Sequence, residues 1–311
     1  MRMVSQSKGI HFYQSKLQQF APKQGPNKNL QMLQATMKLG FNSVLFGNFD
    51  PEKAFIAASE IGYSGIELSA LDPAMSEHIN ESDPVSQNIS LISGLIDKYN
   101  IPVTAIERAK HDLNSWEYIV QLADGIGCPI INLGPGGSID PNGVPISGGS
   151  FDYAIESLKR HSEISNKYNI TTCFKAHYNT CIDNTELSKK AVQLLENHNV
   201  QLDFDPSHIF RVPEDPVSGL KEILPFIGHV HIRDCIAEDI KGPGSPFEQI
   251  CGRGKIDLNG ILRLLKHSNY EGPVNLEVIG AKQKNLSLPS CTVIAAESKG
   301  WLNSALSSIE V

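Results

Sequence analysis

From residue 40 onward one pattern repeats eight times: a short apolar, β-branched run, then a longer stretch with helical spacing. The runs fall at 41–46, 64–68, 102–106, 129–133, 170–176, 200–205, 229–233 and 273–278. The stretches between them carry recognisable helix ends. Asp50-Pro51 supplies a capping side chain and a proline at the first helical position; Ala54, Ala58 and Ile61 line one face, and Gly62 stops the helix. Asn184 stands in the same place before the stripe of Leu187, Ala191, Leu194 and Leu195, as does Asp257 before Leu258, Ile261, Leu262 and Leu265. Each crossover returns the chain to the same sheet edge, so the sheet is parallel. Eight such units in 311 residues favour closure into a (β/α)8 barrel, the TIM barrel of the α/β class, over an open doubly wound sheet. No GxGxxG follows the first strand, and a dinucleotide site is not expected.

Strand parity then locates the chemistry. Alternate residues of a barrel strand face the helices and the axis. In His229-Val230-His231-Ile232-Arg233 the two apolar residues must face the helices, which turns His229, His231 and Arg233 inward. The same rule turns in Asp203 and Asp205, Lys175 and His177, Asn275 and Glu277, Glu67, and Asn132. Six strands therefore aim polar or charged groups at one axis, mostly from their C-terminal ends. Unpaired buried charge is costly, and active sites of this architecture sit at the C-terminal mouth. A functional cluster is the better reading than a purely structural polar core.

Asp205, His231 and Glu277 lie on three consecutive strands, an O,N,O set suited to a divalent ion such as Mn²⁺, Mg²⁺, Co²⁺ or Zn²⁺. His208, three residues after Asp205, is a further ligand or a substrate contact from the following loop. Carboxylates at such a site can also move protons beside a polarised carbonyl.

Composition removes several other classes. With 20% charged and 41% hydrophobic residues the chain is an ordinary globular one with ample material for a core. No run reaches the roughly 20 apolar residues of a membrane helix, and the N-terminus lacks a secretory h-region. The six cysteines show no CxxC and no close, even spacing, which predicts reduced thiols and a cytoplasmic location. A net charge of −7 argues against a nucleic-acid partner. Charge is also segregated. Residues 1–37 hold five basic residues and no acidic one, so residues 38–311 carry −12. The chain divides accordingly into a basic extension at 1–37, read as flexible or loosely docked, and a barrel at 38–311. An organelle transit peptide, or a natural domain start at Met37, would look the same.

The motifs IGYSGIEL (61–68), LDFDPSH (202–208), HVHIRD (229–234), CGRGKIDL (251–258) and YEGPVNLEV (270–278) resemble the sugar isomerase/epimerase superfamily of xylose-isomerase-like barrels. That group includes ketose epimerases, hydroxypyruvate isomerase, inosose dehydratase and endonuclease IV. The resemblance covers about residues 38–308. It implies that Asp205, His231 and Glu277 match three of four metal ligands, that Arg233 stands at a substrate-contacting position, and that Glu67 matches a second-strand glutamate of varying role. It also implies a small carbohydrate or cyclitol substrate and a homo-oligomer, dimer or tetramer. One position departs. The fourth ligand is ordinarily a glutamate at the end of strand five, and here that segment reads Lys175-Ala176-His177. A protonated lysine cannot ligate and repels a divalent ion.

Three outcomes follow from that lysine. The metal stays on three ligands, completed by His177 or His208, with Lys175 directed at substrate as a base; the ammonium replaces the metal by pairing with Asp205, Asp203 or Glu277; or the barrel only binds. The KAHYNT segment (175–180) is closer to the His-rich motif of inosose dehydratase than to Glu-x-Asn. The endonuclease branch expects an Asp-Arg-His motif where this chain has Pro246-Phe247-Glu248, which argues against DNA repair. The glycine-rich loop 134–150 reads as a flap over the mouth, or as a cradle for phosphate or carboxylate. His111, after strand three, is within reach of the mouth, whereas Trp116 and Trp301 read as packing. The expected function is sugar isomerase/epimerase-type proton abstraction beside a carbonyl, assisted by a divalent metal. Glu277 serves as ligand and acid/base, Lys175 as a second catalytic group, and His177, Arg233, Glu67 and His208 contact substrate. A dehydratase and a noncatalytic or metal-independent sugar-binding barrel are the alternatives.

Overall fold

A computed structural model describes residues 37–136, 150–212, 214–238 and 242–309. The extension at 1–37, apart from Met37, and most of the glycine-rich loop lie outside the described residues. Eight strands run in chain order: β1 (Lys38–Asn42), β2 (Gly65–Ala70), β3 (Val103–Arg108), β4 (Ile130–Leu133), β5 (Thr171–Lys175), β6 (Val200–Phe204), β7 (Ile227–Ile232) and β8 (Pro273–Leu276). Every neighbouring pair is parallel, and β8 pairs back onto β1 to close the barrel. The helices are α1 (Pro51–Ile61), α2 (Val85–Tyr99), α3 (Leu113–Gly125), α4 (Phe151–Asn166), α5 (Thr185–Leu194), α6 (Pro206–Arg211), α7 (Pro216–Ile223), α8 (Leu258–His267) and α9 (Leu288–Ser308). None of these helices is long and apolar enough to cross a membrane.

Local chemistry explains the boundaries. Gly62 ends α1 in the left-handed conformation at φ 82°, which glycine adopts without a Cβ penalty. Asn184 and Asp257 accept from the backbone N–H of Leu187 and Gly260, whereas Asp50 makes no such side-chain bond and α1 starts on Pro51. Two strands differ from expectation. The run 41–46 is not one strand: β1 stops at Asn42, whose side chain accepts from Val44 N–H, and Ser43–Phe46 forms a 3-10 helix. In contrast β3 runs on through Glu107 and Arg108, beyond the expected end at residue 106.

The apolar core lies between barrel and helices. Phe41, Ile66, Leu68, Ile106, Ile131, Phe174, Leu202, Val230, Ile232, Val274 and Leu276 all face it and are buried. Each such side chain contributes roughly 1.5–3 kcal/mol by leaving water. Trp116 is fully buried, with its indole N–H donating to the His161 carbonyl at 3.0 Å. The opposite parity fills the barrel itself, and there space is short. Gly40 pairs with Gly65 on one side and Asn275 on the other. A Cβ at Gly40 would lie 2.2 Å from Asn275 Oδ1 and 2.8 Å from the Gly65 carbonyl. Gly40→Ala is expected to lose about 1–3 kcal/mol of stability, in the usual range for overpacking. Urea unfolding measures it, and an unchanged midpoint would show that the floor of the barrel yields.

Candidate active site

The inward side chains stack in tiers along the axis. The lower tier is enclosed and consists of Asn42, Glu67, Asn132, Asp203, His229, His231 and Asn275, each 2% exposed or less. Pairing sets Asp203 beside His229 and His231 beside Asn275. His229 Nδ1 donates to Asp203 Oδ1 at 2.8 Å, and its Nε2 accepts from the Asn275 amide at 2.8 Å, which fixes the tautomer. Asn132 and Asn42 donate to the two oxygens of Glu67 at 2.6 and 3.0 Å. His231 Nε2 donates to Glu67, and His231 Nδ1 faces Asp203 Oδ2 at 2.9 Å.

Above this tier Lys175 is the hub. Its Nζ lies 3.1 Å from Glu107 Oε1, 3.1 Å from Glu277 Oε1 and 3.1 Å from His231 Nδ1, with Asp205 Oδ2 at 3.9 Å. Arg233 holds the same carboxylates from the far side. Its Nη2 is 2.6 Å from Asp205, its Nη1 is 2.8 Å from Glu277 Oε2, and its Nε donates to Ser207 Oγ at 2.8 Å. Lys175 and Glu107 keep 5% and 6% exposure, so this tier borders the mouth. Higher still, the His177 and His208 rings lie 4.1 Å apart. His208 Nδ1 accepts from Tyr178 N–H at 3.1 Å and from Arg211 at 2.7 Å. His177 Nδ1 donates to the Tyr178 carbonyl at 2.9 Å, leaving Nε2 as its acceptor.

Electrostatics separates these groups. Burial alone would lower Lys175, but Glu107, Glu277, Asp203 and Asp205 hold it above its ordinary value. Burial would likewise lower His231, yet Asp203 and Glu67 raise it well above the usual imidazole. Burial would raise Glu277, Asp203 and Glu67; Arg233 and Lys175 outweigh it at Glu277, and His231 and His229 outweigh it at the other two. Glu107 goes the other way. Desolvation and the charge of Glu277 push it up to about 8, so it is protonated at neutral pH. Its contact with Lys175 is then charge to neutral, and the standing anionic partner is Glu277. His177 has one edge in solvent, but desolvation of the rest and then the Lys175 charge lower it to about 4; burial lowers His208 well below the usual range.

The structure thus gathers Lys175, Asp205, His231, Arg233 and Glu277 at one point, with His177 and His208 above. One expected substrate contact, Glu67, stands lower in the stack. Glu67 lies beneath His231 with no exposure, its oxygens taken by Asn42, Asn132 and His231. Arg233 is within the cluster but 1% exposed, with its donors facing Asp205, Glu277, Ser207 and His208. His111 instead packs its ring 5.5 Å from His161, under Gly136. Glu107 and Asn42 are the groups sequence reasoning missed. Ile106-Glu107 repeats the Ile66-Glu67 alternation, so one more residue of strand would have turned Glu107 inward.

A family model described as Xylose isomerase-like TIM barrel matches residues 55–305. The chain belongs to that family. Among curated proteins, the inosose dehydratase of Clostridium perfringens is 27% identical over 133 residues, 39% of this chain and 45% of that one. The chain thus matches less than half the length of such relatives. D-psicose 3-epimerase from Clostridium cellulolyticum H10, solved with D-tagatose, superposes with a TM-score of 0.67 at 15% identity, covering 87% of this chain and 99% of that one. The IOLI protein, solved with a zinc atom, gives 0.67 at 17% identity, covering 88% and 100%. At these identities the structures share the fold.

A bound metal among such neighbours calls for a test of fit. Two groups of side chains among the described residues bring three ligand atoms within 4.8 Å of one another: Glu67, His229 and His231, and Glu107, His231 and Glu277. The first is sealed and internally hydrogen-bonded. The second is the cradle of Lys175, whose Nζ is 3.1 Å from all three members. A dication placed about 3 Å from that ammonium would meet a repulsion of about 10 kcal/mol even at an effective dielectric near 20. Both ring nitrogens of His231 are also engaged, so neither offers a free lone pair. The residues present do not fit a divalent ion while Lys175 is charged.

The raised Glu107 makes a pH prediction with a definite sign. The folded chain keeps a proton there that the unfolded chain releases from 4.5 upward, so this group's contribution to stability falls as pH rises to about 8 and then levels off. Glu107→Gln removes that titration. Its stability relative to the wild type should improve steadily across that window, as read from urea midpoints at several pH values. Parallel profiles would sink the assignment.

Proposed function

We propose that this chain is an isomerase/epimerase-type enzyme that moves a proton beside the carbonyl of a small sugar, ketose or cyclitol. The carrying observation is a pair of carboxyl groups with opposite proton preference on one ammonium: Glu107 and Glu277 each lie 3.1 Å from Lys175 Nζ. Glu277 is held ionised and Glu107 holds a proton, which is the division of labour between base and acid that such chemistry requires. The carbon-bound proton passes to Glu277 while the electron pair moves onto the carbonyl oxygen, giving an enediolate. Lys175 donates to that oxygen. Glu107, Glu277 and His231 already surround the ammonium, so the substrate oxygen takes the place of Glu107, the uncharged one. A proton returned to the same carbon on its opposite face gives an epimer, and one returned to the neighbouring carbon gives an isomer. His177 Nε2, at the mouth, accepts from a substrate hydroxyl.

The inosose dehydratases among the relatives support a second reading. A dehydratase shares the first step and then expels a β-hydroxyl. Incubation with ketoses and keto-cyclitols in D₂O, followed by NMR, separates the two by product. Deuterium should enter the carbon beside the carbonyl, and Glu277→Gln should slow that entry by about 10²–10⁴-fold, the usual weight of an acid–base group. No exchange with any member of the panel would leave a binding barrel.

A further inference from the structure

We propose that the Lys175 ammonium is the resident cation of this barrel, and that the single substitution Lys175→Glu turns its cradle into a divalent-metal site. This goes beyond the proposed reaction and does not depend on which carbonyl compound is turned over. The cradle has the donor types of a metal centre. Glu107, Glu277 and His231 present two oxygens and a nitrogen, each 3.1 Å from one point, with an Asp205 oxygen at 3.9 Å. Oxygen and imidazole donors of this kind suit Mn²⁺, Zn²⁺ or Co²⁺. The point they surround is a nitrogen of the chain itself.

Formal charge supports the exchange. Lys175 and Arg233 are set against Asp205 and Glu277, two cations to two carboxylates at 2.6–3.9 Å. Adding a dication to the wild type leaves two uncompensated positive charges among buried side chains. Replacing the lysine by glutamate removes one positive charge and adds one negative, a change of two that a dication restores. The β5 backbone already aims position 175 at the cradle, because Lys175 pairs in register with the inward Asp203. Removal of the ammonium also clears the space at His231 Nδ1, which a metal ion takes up in exchange for the ring proton, as metal binding to imidazole does generally.

The test uses the full-length chain, purified, incubated with Mn²⁺ and desalted, with elemental analysis and thermal melting as readouts. The wild type should retain only substoichiometric metal and melt at the same temperature with Mn²⁺ or with EDTA. Lys175→Glu should retain about one equivalent, and Mn²⁺ should raise its melting temperature in a concentration-dependent way, as binding to the native state alone demands. Lys175→Met, which removes the charge without adding a ligand, should gain far less. Near-stoichiometric metal in the wild type, lowered melting in EDTA, or a folded Lys175→Glu chain that takes up no Mn²⁺ overturns the inference. Should Lys175→Glu be unfolded without metal, recovery of the folded state on adding Mn²⁺ supports it and failure to recover counts against it. No catalytic activity is read, so a failed isomerase assay leaves this result standing, and the reverse holds too.

Discussion

Mutual repulsion among carboxyl groups inside a closed barrel is the constraint on which this structure turns. Glu67, Glu107, Asp203, Asp205 and Glu277 are each 6% exposed or less, and no lipid-like core separates them. Each finds a different remedy. Asp203 and Glu67 are held by the two histidines of β7, Asp205 and Glu277 by Arg233, and Glu277 again by Lys175. Glu107 keeps its proton. The remedies are shared, since His231 serves both lower carboxylates while touching Lys175. Removing any one cation would strand a buried anion, a change that costs about 3–5 kcal/mol in comparable buried pairs. Site and fold are therefore one network, and polar contacts rather than branched aliphatic layers fill this barrel.

Much of that network was legible in the sequence, because a strand buried on one face must alternate. Val230 and Ile232 fixed the direction of His229, His231 and Arg233, and Leu202 and Phe204 did so for Asp203 and Asp205. Both sets point inward. The omissions trace to strand ends. Glu107 was lost because the charged run Glu107–Lys110 looks like a loop, and a run of charge normally means solvent. Asn42 was lost because Ser43–Phe46 has the composition of a strand, while the Asn42 side chain caps a 3-10 turn there. Neither error comes from hydrophobic periodicity; both come from local polar bonds that the pattern does not encode.

Height along the axis was the harder quantity. Parity says that a side chain faces inward and is silent on whether it ends at the floor or at the mouth. Glu67 and Arg233 both face inward, and both are sealed by their partners. Register decides this, and it shifts between Ile66 and Glu67 in the pairing of β2 with β3, and again between Leu202 and Asp203 in the pairing of β6 with β7. Such shifts move one wall of the barrel relative to the next, so that Glu107 rises level with Lys175 while Glu67 stays below it. No residue type in the sequence announces them.

The same geometry explains what an ammonium can and cannot do in place of a metal. A catalytic ion keeps an open coordination position and receives substrate by addition. Lys175 donates to Glu107 and Glu277 and has His231 Nδ1 against its remaining side, all at 3.1 Å, so any substrate oxygen must enter by exchange. Glu277 is anchored by the Arg233 guanidinium as well, and His231 by the Glu67 carboxylate, whereas the other partners of Glu107 are the Asn42 amide at 2.7 Å and the Glu277 carboxylate. Glu107 is also the uncharged partner. On the proposed reaction, exchange at Glu107 gives up no standing ion pair, and it releases the one carboxyl group that arrives with a proton next to the oxygen that would need it.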